Sequence, residues 1–208
     1  MSFQWKYYMM VPHVEPPIVL NIGSANDPLE FGSYAMHFDI DDWTAEHKWF
    51  TQGDAHKLPF PDRSYQLVVL GDIMEHVVDP MKVTDEALRV TAVGGYMVAT
   101  IFEEWRLSGP GQHIEEGTLS ARKHSQLLGY ADEEDYQAKV NATRIGFSND
   151  ELPHLFHINQ FVDSDIEGMI SWALRNGDVK LVEAVKAFEV THDGHDIYNW
   201  LVAFQRLD

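Results

Sequence analysis

Two kinds of side chain in this sequence could do chemistry: carboxylates that close apolar runs, and histidines that follow them. Val19-Leu20-Asn21-Ile22 is a short apolar run, and Gly23-Ser24-Ala25-Asn26-Asp27-Pro28 breaks it. Gly23 lets the backbone come close to a ligand, and Ser24 and Ala25 add little bulk. Asp39 closes the next run, Tyr34 to Ile40. A carboxylate in that place can accept two hydrogen bonds from a vicinal diol, as an acid does toward the ribose in dinucleotide folds. Each sign has a plainer reading, as a turn, a cap or a solvated charge, and the full G-x-G-x-x-G pattern is absent. Among the eleven histidines, His76 in Met74-Glu75-His76-Val77 and His157 in Leu155-Phe156-His157-Ile158 are the candidates for a general base near neutral pH. The alternative for both is a packed, half-buried ring. His113, in a Gly-rich stretch, reads as exposed loop. Asp72, Glu75 and His76 are types that hold a divalent cation. Three ligands so close in sequence need a favourable turn, and no metal is expected.

The chain has 208 residues, which suggests one domain large enough to bury a substantial core. Nearly half of the residues are apolar, and cysteine is absent. Disulfides, thiolate metal sites and a cysteine nucleophile are therefore excluded. No apolar run is long enough to span a bilayer, and residues 1–17 lack the apolar centre of a secretory signal, so a cytoplasmic location is expected. The formal net charge of −18 argues against binding to a nucleic-acid backbone, which relies on clustered Lys and Arg. It favours solubility and does not repel neutral or cationic substrates.

These side chains need elements to position them. Strands are expected at Ile18–Ile22, Tyr34–Ile40, Tyr65–Gly71 and Tyr96–Phe102, the third apolar on both faces as a buried parallel strand is. A helix is expected from His76 to Val93, with Asp79 as N-cap, Pro80 in the first turn and Gly94-Gly95 as its stop. Such alternation implies crossovers and a mainly parallel sheet flanked by helices. Glu103 to Pro153 breaks the rhythm and reads as an insertion over one end of the sheet, with possible helices at Thr118–Tyr130 and Asp132–Ala142. Ser164 and Glu167 then have capping-box spacing, and Ile166, Met169, Ile170, Ala173 and Leu174 form one helical stripe that ends at Asn176-Gly177. The last two apolar segments flank Thr191-His192-Asp193-Gly194-His195-Asp196 and are expected to pair as an antiparallel hairpin, the final one inside the sheet. Trp5, Tyr7, Tyr8, Trp105, Tyr130, Tyr136, Phe147 and Phe156 either wall a substrate pocket or anchor their segments to the sheet.

Gly53-Asp54-Ala55, Leu58-Pro59-Phe60-Pro61-Asp62, Met74-Glu75-His76-Val77, Asp79-Pro80 and Gly94-Gly95 follow one another in an order and spacing that resemble the class I S-adenosylmethionine-dependent methyltransferases, of the methyltransferase type 11 group. The resemblance covers about Val19 to Phe102 and, more loosely, the stretch from His157 to Gly177. It implies a Rossmann-like α/β fold with a reversed final strand, S-adenosylmethionine as cofactor, and methyl transfer, here expected to be to a small-molecule or glycan-type acceptor; the insertion has no counterpart in the family pattern and is expected to choose that acceptor. It also implies roles: Asn21, Gly23, Ser24 and Ala25 around the methionine part of the cofactor, and Asp39 on the ribose with Ile40 beside the adenine. Asp54 and Ala55 would meet the adenine edge, and Gly71 and Asp72 the methionine carboxylate and sulfonium.

Three residues depart from the family pattern: Asn21 replaces the usual acid, Ala25 the second glycine and Asp27 the third. They keep open a non-catalytic protein that binds S-adenosylmethionine or its demethylated product, or a scaffold. A nicotinamide-dependent oxidoreductase on a similar sheet is the third reading, disfavoured by the missing G-x-G-x-x-G.

Overall fold

The computed structural model describes residues 3–24, 34–40, 42, 44–45, 47–103, 161, 163–192 and 195–208. These form strands β1 (Val19–Ile22), β2 (Ala35–Asp39), β3 (Phe50–Gln52), β4 (Tyr65–Gly71), β5 (Thr91–Glu103), β6 (Val179–His192) and β7 (His195–Arg206). The helices are α1 (Phe3–Tyr8), α2 (Pro80–Val90) and α3 (Asp163–Asn176). One sheet joins the strands in the order β3-β2-β1-β4-β5-β7-β6. The pairs β1–β2, β2–β3, β1–β4 and β4–β5 are parallel, whereas β7 runs antiparallel to both β5 and β6. This is the expected mainly parallel α/β sheet, closed by the expected hairpin with its last strand inside.

The period of two along the strands divides the core into two layers. Leu20, Ile22, Val68, Leu70, Met97 and Ala99 face a layer that holds Val83 and Ala87 of α2 and Ile166 and Ala173 of α3. Val19, Leu67, Val69 and Val98 face the opposite layer, with Tyr7 and Tyr8 of α1. Tyr7 packs against Tyr96 with ring centroids 5.4 Å apart, and its hydroxyl donates to Glu183 at 3.0 Å. Burial raises the phenol pKa of both Tyr7 and Tyr8. These two aromatics therefore anchor the N-terminal helix and do not wall a pocket. No helix among the described residues is long and apolar enough to cross a membrane.

Several boundaries differ from expectation. Helix α2 begins at Pro80 and not at His76: Asp79 caps it by accepting from the Lys82 N–H at 2.9 Å. It ends at Val90, because Thr91 turns extended and pairs with Tyr65. Gly94 (φ +76°) and Gly95 thus lie inside β5, at the register shift beside β4, and not at a helix terminus. A Cβ on Gly95 would stand 2.7 Å from the Gln66 carbonyl oxygen, so the close approach is to the neighbouring strand. Strand β3 was not expected. It has three residues and pairs only with β2, so its extension depends on a neighbour and not on its own pattern. In α3, Ser164 lies within the first turn, because the helix already begins at Asp163. Leu174 is 45% exposed, being one helical step round from the Ile166–Ala173 line that faces the sheet. The insertion from Glu103 to Pro153, with the helices and aromatics expected in it, lies outside the described residues beyond Glu103 itself.

One side-chain cluster ties α2 to the segment before β4. Glu86 accepts the Leu58 N–H at 2.8 Å and both Nε and Nη2 of Arg89 at 2.9 Å. Arg89 also donates to the carbonyls of Phe60 (2.9 Å) and Leu58 (3.0 Å) and to Asp62 (2.7 Å). Burial by itself would raise the Glu86 carboxyl. The hydrogen bonds from Arg89 and Leu58, with Arg89 and Lys82 charge nearby, outweigh burial and hold it below its ordinary value. Its contribution to stability is therefore complete above the unfolded-state value and is lost as pH falls through the depressed folded value. Glu86→Gln should destabilise the protein by about 2 kcal/mol at neutral pH, because the charge facing Arg89 is lost and one of the two acceptor oxygens becomes an NH2 that points at a donor. In urea unfolding, the gap to the unsubstituted protein should shrink below about pH 4.3.

Candidate functional site

The carboxyl ends of β1, β2 and β4 meet where the strand order reverses, with β2 on one side of β1 and β4 on the other. Open parallel sheets bind ligands in the crevice at that point. All four residues of β1 are buried, and the chain leaves it through Gly23 at φ +72°. The Gly23 N–H donates to the Phe38 carbonyl at 2.8 Å, and the Ser24 N–H reaches the same oxygen at 3.4 Å. A Cβ on Gly23 would stand 2.9 Å from Cβ and Cδ1 of Ile73, so the turn is pressed against the segment that follows β4. Ser24 is 2% exposed, and among the described residues its hydroxyl has no hydrogen-bond partner. A buried hydroxyl in that state costs free energy unless something else satisfies it. Asn21 is buried between its register partners His37 and Val69.

The second wall comes from β2 and the residues after β3. Gly53 donates its N–H to the Asp39 carbonyl at 2.8 Å, and Gln52 Nε2 donates to the Ile40 carbonyl at 2.9 Å. A Cβ on Gly53 would stand 2.8 Å from Cζ of Phe38, so only glycine lets the two segments lie so close. This clasp sets Asp39 and Asp54 on adjoining segments at the same end of the sheet. Asp39 is half-buried and Ile40 is 49% exposed, an apolar side chain left open beside a carboxylate. Asp54 Oδ1 accepts the His56 N–H at 2.9 Å and His56 Nδ1 at 2.5 Å. Ala55 is buried behind it.

The third wall follows β4. Gly71 ends the strand, and Asp72 adopts φ +48°, donating its N–H to Thr100 Oγ1 at 3.0 Å. A non-glycine residue held there is strained, as turns at functional sites often are. His76 closes a turn through its N–H to the Ile73 carbonyl at 2.9 Å and is half-buried, while Glu75 is buried. Thus Asn21, Gly23, Ser24, Asp39, Ile40, Asp54, Ala55, Gly71, Asp72 and His76 all belong to the ends of β1, β2 and β4 or to the segments that leave β1, β2, β3 and β4 there. Ala25 and His157 lie outside the described residues. Among the described residues, no group of three or more His, Asp or Glu is arranged to hold a metal ion. Two residues of the site had no role read for them from sequence, Gly53 and His56. Gly53 was visible as part of Gly53-Asp54-Ala55, but its contact with Phe38 is tertiary.

Residues 35–99 match the family model described as a methyltransferase domain. A demethylmenaquinone methyltransferase of Geobacillus stearothermophilus is 32% identical over 116 residues, 55% of this chain and 49% of that protein. Another demethylmenaquinone methyltransferase, from Paenarthrobacter aurescens, is 42% identical over 53 residues, 26% of this chain and 21% of its own length. The matched stretches thus span less than half of these curated relatives. Among solved structures, a SAM-dependent methyltransferase from Methanosarcina mazei superposes with TM-score 0.56 at 16% identity, covering 91% of this chain and 92% of that one. The Bacillus subtilis YcgJ protein gives 0.51 at 14% identity, over 96% and 97%. The likeness to the class I methyltransferases read from the sequence is therefore shared by the family model, the curated relatives and the fold.

Gly23 and Gly94 offer a controlled comparison, since both have positive φ but a Cβ on Gly94 meets nothing within 4 Å. Gly94→Ala should cost only the backbone strain, about 1 kcal/mol. Gly23→Ala adds the collision with Ile73 and should cost about 2–3 kcal/mol. Thermal unfolding of the two variants measures the difference.

Proposed function

We propose that this chain is an S-adenosylmethionine-dependent methyltransferase acting on a small-molecule or glycan-type acceptor. The observation that carries this reading is the Gly53–Asp39 clasp, which sets two carboxylates beside the Gly23 turn at the point where strand order reverses. The residues present fit the cofactor. Asp39 offers acceptors to a ribose diol, exposed Ile40 an apolar surface to an adenine, and Asp54 an acceptor to an exocyclic amine. The Ser24 hydroxyl, without a partner among the described residues, and the turn at Gly23 suit close approach by its methionine part, a role proposed also for Asn21 and Ala25. Gly71 and Asp72 line the remaining side.

The bound cofactor supplies a methyl group already activated on a sulfonium. The protein then has to orient the acceptor, and holding a nucleophile in a near-attack geometry contributes on the order of 7–11 kcal/mol. A hydroxyl or protonated-amine acceptor also needs a base, and His76 and His157 are the residues proposed for it. Residues 1–208 are read as one domain in which the insertion at about 103–153 selects the acceptor, since sites and not folds set specificity. The net charge of −18 disfavours nucleic acid as that acceptor, and the absence of cysteine suits a cytoplasmic location.

Asn21 favours a second reading, a non-catalytic binder of the same cofactor, because it offers only an uncharged acceptor where the family has an acid. A methyl-transfer assay over an acceptor panel separates the two. Asp39→Ala should weaken binding of S-adenosylhomocysteine by about 10- to 100-fold with the fold intact, read by calorimetry. Asn21→Asp should bind the cofactor equally or more tightly. Unchanged affinity in the first, or collapse in the second, would mean that the crevice serves another ligand. If His76 is the base, His76→Gln should lower turnover by about 100-fold at unchanged melting temperature.

A further inference from the structure

We propose that His56 is a positioning residue that holds Asp54 to discriminate a 6-amino purine from a 6-oxo one; this rests on the cofactor reading above. His56 Nε2 lies 3.0 Å from the backbone nitrogen of Asp79, and a backbone N–H can only donate. Nε2 is therefore the acceptor and carries no proton. The proton of the neutral ring sits on Nδ1, which donates to Asp54 Oδ1 at 2.5 Å. The same oxygen accepts the His56 backbone N–H at 2.9 Å, so two donors from one residue fix the carboxylate.

The other end of this relay is rigid. Asp79 caps α2 through the Lys82 N–H, and its carbonyl accepts the Val83 N–H at 3.1 Å. The His56 side chain is only 11% exposed, whereas that of Asp54 is 38% exposed. The imidazole thus carries the position of a buried helix terminus out to a carboxylate at the mouth of the crevice. An ionised carboxylate is an acceptor only. Held in place, it accepts from the amine of adenine and repels the carbonyl oxygen of hypoxanthine. Released, it can rotate toward solvent and loses that choice. A purely structural role for His56 would leave the choice between purines untouched.

The test compares S-adenosylhomocysteine with S-inosylhomocysteine by calorimetry on the full chain and on His56→Ala and His56→Asn. The unsubstituted protein should prefer the adenine ligand by about 100-fold, the worth of one hydrogen bond to a charged acceptor. His56→Ala should weaken the adenine ligand by about 10-fold and leave the inosine ligand nearly unchanged, shrinking the preference to about 10-fold. His56→Asn keeps an N–H near Asp54 and should recover part of it. If His56→Ala folds poorly, the preference measured in His56→Asn decides, because a structural role predicts no change in the ratio. An unchanged ratio in a folded variant overturns the positioning role alone. If the unsubstituted protein binds neither ligand, the cofactor reading falls and takes this role with it.

Discussion

Strand β1 has parallel partners on both sides and four buried residues, and that constraint organises the rest of the molecule. A strand so enclosed releases its chain only at its carboxyl end, into the gap between the ends of β2 and β4. The chain must turn there at once. Gly23 does so with positive φ, and with Ile73 so near that a Cβ would stand 2.9 Å from it. The Phe38 carbonyl takes both N–H groups of the turn, so the end of β2 is drawn to the same place. The Asp39 carbonyl then takes the Gly53 N–H. Each bond brings the next segment into reach, and the crevice is the sum of these close approaches.

The segment that carries Asp54 and Ala55 would be an exposed loop without the cluster beneath it. Leu58-Pro59-Phe60-Pro61-Asp62 looks chemical because it is turn-rich, ends in an acid and recurs in a family pattern. In the structure it is an anchor. Arg89 gathers two of its carbonyls and Asp62, and Glu86 takes its first N–H. Phe60 packs edge-on against Phe38 (5.7 Å) and Tyr65 (5.2 Å). Phe38 in turn lies under Gly53. The acids Asp62 and Glu86 are engaged in holding the loop, while Asp39 and Asp54 are presented at its mouth.

The sheet was legible in the sequence wherever a strand is buried on both faces, as in Tyr65–Gly71, or alternates clearly. It was not legible at β3, because Phe50-Thr51-Gln52 is too short to show a pattern and becomes a strand only by pairing with β2. The end of α2 is hidden in the sequence because Ala92 and Val93 continue the helical pattern of apolar residues. Thr91 leaves it through a pairing with Tyr65 that no local pattern encodes. Asp39 and Gly23 stood out because their position at strand ends is a local property. His56 did not, because its meaning comes from the Asp79 N–H, remote in sequence and brought near only by the turn before α2. A resemblance transfers roles to aligned motif positions, and it passes over a residue whose partner is supplied by tertiary structure.

The central claim is that the crevice at the ends of β1 and β2 is an adenosyl site. A crystal structure of the protein with S-adenosylhomocysteine tests it most directly. The account predicts the ribose hydroxyls on Asp39, the adenine against Ile40 with its amine toward Asp54, and the Ser24 hydroxyl satisfied by the ligand. Density for the ligand elsewhere, or in this crevice with its ribose turned away from Asp39, would contradict it.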